Sequence, residues 1–314
     1  MRLSGDQLAR QPVVLIIGPT AVGKTAAAVS VGRALDAEII SADSRQVYQH
    51  MNIGTAKPTP DELAALPHYL IDVVPPDVRY NVADFKRDAA QLIDDIHARG
   101  KLPMIVGGTG QYITALIDGW QIPEIEPNPA LRAELEAYAE EHGWEGLLER
   151  LREVDPIYAE QVDAKNLRRV IRAIEVSIES GRPYSDIRIK HPAPYTVLEL
   201  GLTLERGALY ERADRRVDKM LEDGLVAEVE QLVEAGYTWS LPSMSSLGYL
   251  QIGNYLQGKM TLDEAREELC YATHHFIRRQ YTWFRKYNAD AIWFESNAHT
   301  AQSLLTTIRA WLGN

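Results

Sequence analysis

The run Gly18-Pro19-Thr20-Ala21-Val22-Gly23-Lys24-Thr25 sets glycines, a lysine and a hydroxyl at the spacing that holds phosphate. Glycines let backbone N–H groups wrap a diphosphate, Lys24 adds a point charge, and the Thr25 hydroxyl can ligand Mg2+. The positive end of a helix beginning near Gly23 would reinforce the site. Asp43, at the head of Asp43-Ser44-Arg45-Gln46, adds a carboxylate suited to three jobs: metal ligand, helix cap, or base for an incoming nucleophile. Its polar neighbours favour a functional role over a cap. A third segment, Gly107-Gly108-Thr109, stands where a nucleotide hydrolase of this loop class carries an acid for magnesium. The two glycines permit a bulky partner or another backbone to approach closely, and Thr109 offers it a hydroxyl. The missing acid argues against an ordinary nucleotide hydrolase.

These groups can meet only if the elements between them bring them to one edge. VVLIIG, AEIISAD, HYLIDVV and LPMIVGG are short apolar runs separated by segments, such as 83–99, with apolar residues at helical spacing. That pattern predicts a parallel sheet covered by helices. The carboxyl ends of such strands line one edge where ligands collect, so Asp43 is expected beside the phosphates. After the proline-rich IPEIEPNP, residues 122–129, the pattern is helical only through Ser180 and stops at Gly181. A strand returns at about 195–204, and helices are expected from Arg206 onward. The expected fold is α/β: a P-loop-type parallel sheet flanked by helices, residues 1–122 and 194–314, with an all-helical insertion domain at 123–193.

The chain has 314 residues, 46% of them hydrophobic, enough for an ordinary core. The longest apolar run near the start, Val13 to Ile17, is far shorter than a membrane span, and one cysteine, Cys270, leaves no disulfide framework or multi-cysteine zinc site. A soluble, cytoplasmic protein without a membrane partner is expected, and a monomer. The net charge of −11 argues weakly against a protein coated in nucleic acid. Two local clusters oppose that sum: Lys165, Arg168, Arg169 and Arg172, and then Arg278, Arg279, Arg285 and Lys286, interleaved with Tyr281, Trp283 and Phe284. Interleaved basic and aromatic residues suit gripping phosphates and stacking on bases. His68, His274 and His275 lack the further ligands a metal site needs.

GPTAVGKT, SADSRQVYQHMNIGTAKP, PHYLID, GGTG with Tyr112, RRVIRAIEV, ERADRRVDKMLEDGL, LGY and RRQYTWFR together resemble the bacterial tRNA dimethylallyltransferases, also called tRNA isopentenyltransferases. The similarity runs from about residue 13 to residue 286. The resemblance implies transfer of a dimethylallyl group from dimethylallyl diphosphate to N6 of the adenosine immediately 3′ of the anticodon, with Mg2+ near Thr25. It implies that residues 18–25 hold the diphosphate with Lys24 among the catalytic groups, that Asp43 is the general base, and that Arg216 assists at the diphosphate. Contacts to the tRNA anticodon stem-loop would come from Asp43, Ser44, Arg45, Gln46, Thr109, Arg132, Arg168, Arg169, Arg172, Gly248, Tyr249, Arg278, Arg279, Gln280, Trp283 and Arg285.

The chain departs from several family members at Leu250 and His274, where they carry basic residues; each change removes a phosphate contact. A zinc-finger extension is not expected with one cysteine and an end at Asn314. Three other readings compete. A small-molecule kinase would leave the helical insertion and RRQYTWFR unused. A prenyltransferase acting on free AMP, ADP or ATP would need neither basic cluster. A non-catalytic tRNA-binding module would not require Lys24 or Asp43.

Overall fold

The computed structural model describes residue 5 and residues 11–123, 125–188 and 193–313. Six parallel strands, β1 (Pro12–Ile17), β2 (Ala37–Ala42), β3 (His68–Tyr69), β4 (Leu102–Gly107), β5 (Thr196–Thr203) and β6 (Ile292–Glu295), form one sheet in the order β3-β2-β4-β1-β5-β6. β1, β2 and β4 are buried along their whole length. That is why they read as unbroken apolar runs: helices cover both faces of a parallel sheet. Val13, Leu15 and Ile17 point into one core and Val14 and Ile16 into the other. On the first face α3 (Val82–Ala98) buries Phe85, Ala89, Ile93 and Ile96, three or four residues apart; its start is closed by a capping box between Asn81 and Asp84. On the second, α1 (Lys24–Leu35) and α13 (Thr300–Leu312) pack through Ala28, Val31, Leu35, Leu304, Ile308 and Leu312.

Two expectations about strands change. The third apolar run forms only two residues of strand, because Leu70 and Asp72 take positive φ and turn the chain away. The region after Arg206 is not helical throughout: β6 pairs with β5 from Leu200↔Ile292 to Thr203↔Glu295. A four-residue run at the sheet's edge, behind a 26-residue helix, is too short to separate from a helix end by periodicity. The remaining elements of this part are α2 (Pro60–Ala65), α4 (Gly110–Ile117), α9 (Arg206–Glu222), α10 (Leu225–Glu234), α11 (Tyr249–Leu256) and α12 (Leu262–Tyr287). Among the described residues no helix is long and apolar enough to cross a membrane.

The chain divides into two compact units, one of Met1–Ile117 with Pro194–Asn314 and one of Asp118–Ala193. The second contains α5 (Pro129–Val154), interrupted at Gly143, then α6 (Pro156–Ala159), α7 (Leu167–Ser180) and α8 (Tyr184–Ile187), around a core that includes Leu135, Leu147, Leu151, Val170 and Ile174. Glu175 is fully buried in this unit. It accepts from Arg132 Nε and Nη2, each at 2.8 Å, from Arg172 Nη1 at 2.6 Å and from the Asn128 N–H at 2.8 Å. Burial pushes its carboxyl up, but these hydrogen bonds outweigh the push and hold it below its ordinary value. Glu175→Ala should therefore cost about 3 kcal/mol, at the low end for broken buried pairs because both guanidinium groups keep some solvent. The Glu175 contribution is complete above the ordinary value of 4.5 and is lost as pH falls through the lower folded value. Urea titrations of the two proteins at pH 7 and at pH 3 check both the size and the sign.

Candidate active site

The turn between β1 and α1 forms because glycines stand where other residues would be strained or would collide. Gly18 has φ 151°, and a Cβ there would lie 2.6 Å from the Leu202 carbonyl oxygen of β5; Gly23, the N-cap of α1, has φ 97°. Distant segments hold the loop's shape. The Thr20 N–H donates to Gln280 Oε1 at 2.9 Å, Gln280 Nε2 donates to the Gly108 carbonyl at 3.0 Å, and Ser296 Oγ donates to the Val22 carbonyl at 2.7 Å. Lys24 curls back over the loop, its Nζ donating to the Pro19 carbonyl at 2.8 Å.

Arg216, from α9, reaches the same loop: Nη1 lies 3.4 Å from Thr20 Oγ1 and Nη2 3.4 Å from the Ala56 carbonyl. Burial pushes the Lys24 ammonium down to about 8; Asp43 opposes the shift and Arg216 adds to it. Burial also lowers Arg216, against the pull of Asp43 and Glu62. Asp43 follows β2 directly, and its Oδ1 accepts from the Arg45 N–H at 2.9 Å. In the lining of the cleft two cations thus face one carboxylate, Asp43, with Glu62 acting on Arg216 from outside it.

β4 meets this site through its glycines. A Cβ on Gly107 would lie 2.2 Å from the Ala42 carbonyl oxygen, one on Gly108 2.3 Å from Gln280 Nε2, and one on Gly110 2.2 Å from Trp283 Cδ1. So another backbone fills one of these places and bulky side chains of α12 the other two. Thr109 Oγ1 accepts from the Ser44 N–H at 3.0 Å, tying the ends of β4 and β2 together. Gln46 accepts from Ser41 Oγ at 3.0 Å and donates to the Ala56 carbonyl at 3.1 Å. Thr20, Lys24, Thr25, Asp43, Gln46 and Arg216 line one cleft, which they share with the apolar side chains of Ile39, Pro58, Ile71 and Val106.

Several residues expected at a tRNA surface are engaged elsewhere. Tyr249 is fully buried, donating its hydroxyl to Glu228 at 2.6 Å, so its ring is not free to stack on a base. Gln280, 5% exposed, is spent on bridging Thr20 to Gly108. The aromatics of RRQYTWFR are engaged inward, while elsewhere on α12 Arg279 lies over the Phe276 ring and Lys286 over that of Tyr287. Phe284 is core, Trp283 donates to Thr114 Oγ1 at 3.0 Å, and the Tyr281 hydroxyl lies 3.0 Å from Thr203 Oγ1, while Arg278, Arg279 and Arg285 are exposed. Gly248 is buried and Leu250 beside it is exposed. His274 lies against Asp214, Nε2 to Oδ1 2.8 Å, and stacks on Tyr210. In the second unit Arg168 and Arg169 are exposed, whereas Arg132 and Arg172 are held on Glu175. Arg45 donates to the Pro242 carbonyl at 3.1 Å.

A glycine-bounded loop at the carboxyl edge of a parallel sheet, with two cations turned onto it, defines an α/β protein of the P-loop type. The model of the IPP transferase family matches residues 46–287, and the chain belongs to that family. A tRNA dimethylallyltransferase of Roseiflexus castenholzii is 52% identical over 275 residues, 88% of this chain and 90% of its own. The crystal structure of the full-length tRNA isopentenylpyrophosphate transferase of Bacillus halodurans matches with a TM-score of 0.73 and 39% identity, covering 96% of this chain and 97% of that one. A eukaryotic dimethylallyltransferase acting on tRNA, 26% identical, matches with a TM-score of 0.79 over 95% of this chain and 77% of its own.

Proposed function

We infer that this family member is a tRNA dimethylallyltransferase, moving a dimethylallyl group from its diphosphate to N6 of the adenosine 3′ of the anticodon. The observation that carries the reading is the charge imbalance of the cleft: Lys24 and Arg216 against Asp43, with Ile39, Pro58, Ile71 and Val106 in the same walls. A diphosphate bearing a short hydrocarbon supplies the missing negative charge and covers the apolar surface. In the reaction N6 forms a bond to C1 of the dimethylallyl group, the C1–O bond breaks, and the diphosphate leaves with the electron pair. Asp43 takes the N6 proton, while the loop N–H groups, Lys24 and Arg216 stabilise the charge growing on the diphosphate. Mg2+, when bound, offsets part of that charge. Thr25 would hold it together with substrate oxygens and water, and among the described residues no cluster of three His, Cys, Asp or Glu competes for that ion.

An adenosine in a stacked loop must be extruded to reach a buried electrophile. Ser44, Arg45, Gln46 and Thr109 stand beside Asp43 to receive it, and the exposed Arg168, Arg169, Arg278, Arg279 and Arg285 suit the tRNA backbone. Arg132 and Arg172 contribute through the packing of α5 and α7.

The test is incubation with labelled dimethylallyl diphosphate and Mg2+ plus either unmodified tRNA or AMP. Label is expected in tRNA; label in AMP alone would overturn the acceptor, and label in neither would overturn the reaction. The position of Lys24 adds a pH dependence. A bound anion stabilises the ammonium, so the bound value lies above the free value of about 8, and binding above that pH takes up a proton. Affinity for dimethylallyl diphosphate should weaken by up to about tenfold per pH unit above 8. Calorimetric titrations from pH 7 to 9.5 in buffers of different ionisation enthalpy check it; a constant affinity would contradict it.

A further inference from the structure

Glu228, on α10, is a buried carboxylate, 8% exposed, with no ion pair to any cation among the described residues. It is satisfied by the main chain instead. Oε2 accepts from the Asn52 and Ile53 N–H groups, both at 2.8 Å, and Oε1 from the Ile53 and Gly54 N–H groups at 3.1 and 3.2 Å and from the Tyr249 hydroxyl at 2.6 Å. Three consecutive N–H groups are thereby turned onto one side chain. The Tyr249 ring closes the same turn from beside it: a Cβ on Gly54 would lie 2.4 Å from Tyr249 Cε2. Two residues on, the Ala56 carbonyl accepts from Gln46 Nε2 and Arg216 Nη2. Lys57 then pins the far end through the Tyr48 carbonyl, Asn52 Oδ1 and Asp72.

We propose that Glu228 is a positioning residue for the transfer reaction: by gathering the N–H groups of residues 52–54 it sets the Ala56 carbonyl that orients Arg216 and Gln46. The proposal rests on the reading of the cleft as a dimethylallyl transfer site. Consecutive helices supply both halves of the device, Arg216 from α9 and Glu228 from α10. A buried carboxylate is an expensive way to stabilise a fold, since an apolar residue would fill the space without desolvating a charge. What a carboxylate does, and an apolar residue cannot, is hold several N–H groups converging from one stretch of backbone. Loss of that hold leaves the cleft's chemical groups intact but frees the carbonyl on which two of them rest.

Glu228→Gln keeps shape but turns an NH2 group toward N–H donors. It should lower kcat about 10- to 100-fold with KM for tRNA changed less than about threefold, a split expected when geometry at the reacting groups is lost rather than acceptor binding. Because the effect runs through Arg216, the losses should not multiply: Glu228→Gln introduced beside Arg216→Ala should cost less than about threefold further. If Glu228→Gln does not yield folded protein, Gly54→Ala displaces the same turn from the opposite side and should show the same kcat loss with the same non-additivity. A folded Glu228→Gln enzyme with kcat within twofold of wild type, or fully multiplicative losses in either double variant, overturns the proposal. Absence of transfer by the wild-type enzyme would instead overturn the reading of the site.

Discussion

Asp43→Asn should reduce transfer about 100- to 10,000-fold, the range for loss of a positioned proton acceptor, while dimethylallyl diphosphate binds at least as tightly as before. Asparagine retains an oxygen for the Arg45 N–H, so the turn after β2 survives. What disappears, in the proposed reaction, is the ability to take the N6 proton. The direction of the binding change follows from the charges: Asp43 is the carboxylate that acts on both Lys24 and Arg216, and an incoming diphosphate meets its repulsion. Removing it leaves both cations to the substrate. Single-turnover transfer to tRNA gives the rate and calorimetry gives the affinity. A variant with a rate within tenfold of wild type would remove Asp43 from the proton transfer, and weaker diphosphate binding would contradict the charge argument.

The second large effect is expected at Arg216. Arg216→Ala should lower kcat about 100- to 1,000-fold, comparable to loss of one donor to a developing anion. Arg216→Lys should recover little of it. Two guanidinium nitrogens reach Thr20 Oγ1 and the Ala56 carbonyl at once, and a single ammonium cannot reproduce that fork. A second readout accompanies the rate. Arg216 helps hold the Lys24 ammonium down, so in Arg216→Ala the fall of diphosphate affinity with pH should begin above 8 rather than near it. Unchanged turnover, or an unmoved pH profile, would place Arg216 outside the charge system of the loop.

The loop, the parallel sheet and the position of Asp43 were legible in the sequence because each is written locally. Residues 18–25 specify a turn by their own conformational limits, and a doubly covered strand is a run of apolar residues. The partners that complete the site are not local. Gln280 serves Thr20 across 260 positions, Ser296 serves Val22, and Glu228 serves Asn52 to Gly54. In the sequence Glu228 differs from the exposed acids of the same helix only in falling at the helical spacing of Leu225, Val229 and Leu232, and that spacing does not say what it holds. The interleaving of aromatic and basic residues in RRQYTWFR suggested one mixed surface. The fold instead engages the aromatics of that run inward, Phe284 in the core, Trp283 on Thr114 and Tyr281 against Thr203, and leaves Arg278, Arg279 and Arg285 exposed. The engagement of Arg132 and Arg172 by Glu175 is likewise not written beside them, the acid lying 43 residues from one and one helical turn from the other.

The order in which a ribosome delivers these partners gives the loop a history. Gly18 to Thr25 leave the exit tunnel early, yet the strand beside Gly18, the glutamine on Thr20 and the serine on Val22 lie at residues 202, 280 and 296. β1 pairs with β4 first and waits for β5 while the whole Asp118–Ala193 unit is made. At about 5–20 residues per second, the roughly 90 residues between β4 and β5 keep that edge open for about 5 to 20 s. During that interval the nascent chain carries the phosphate motif without the phosphate pocket and presents an unpaired strand to whatever is near. If the cleft binds as proposed, it can take a diphosphate only when the last third of the polypeptide has been added.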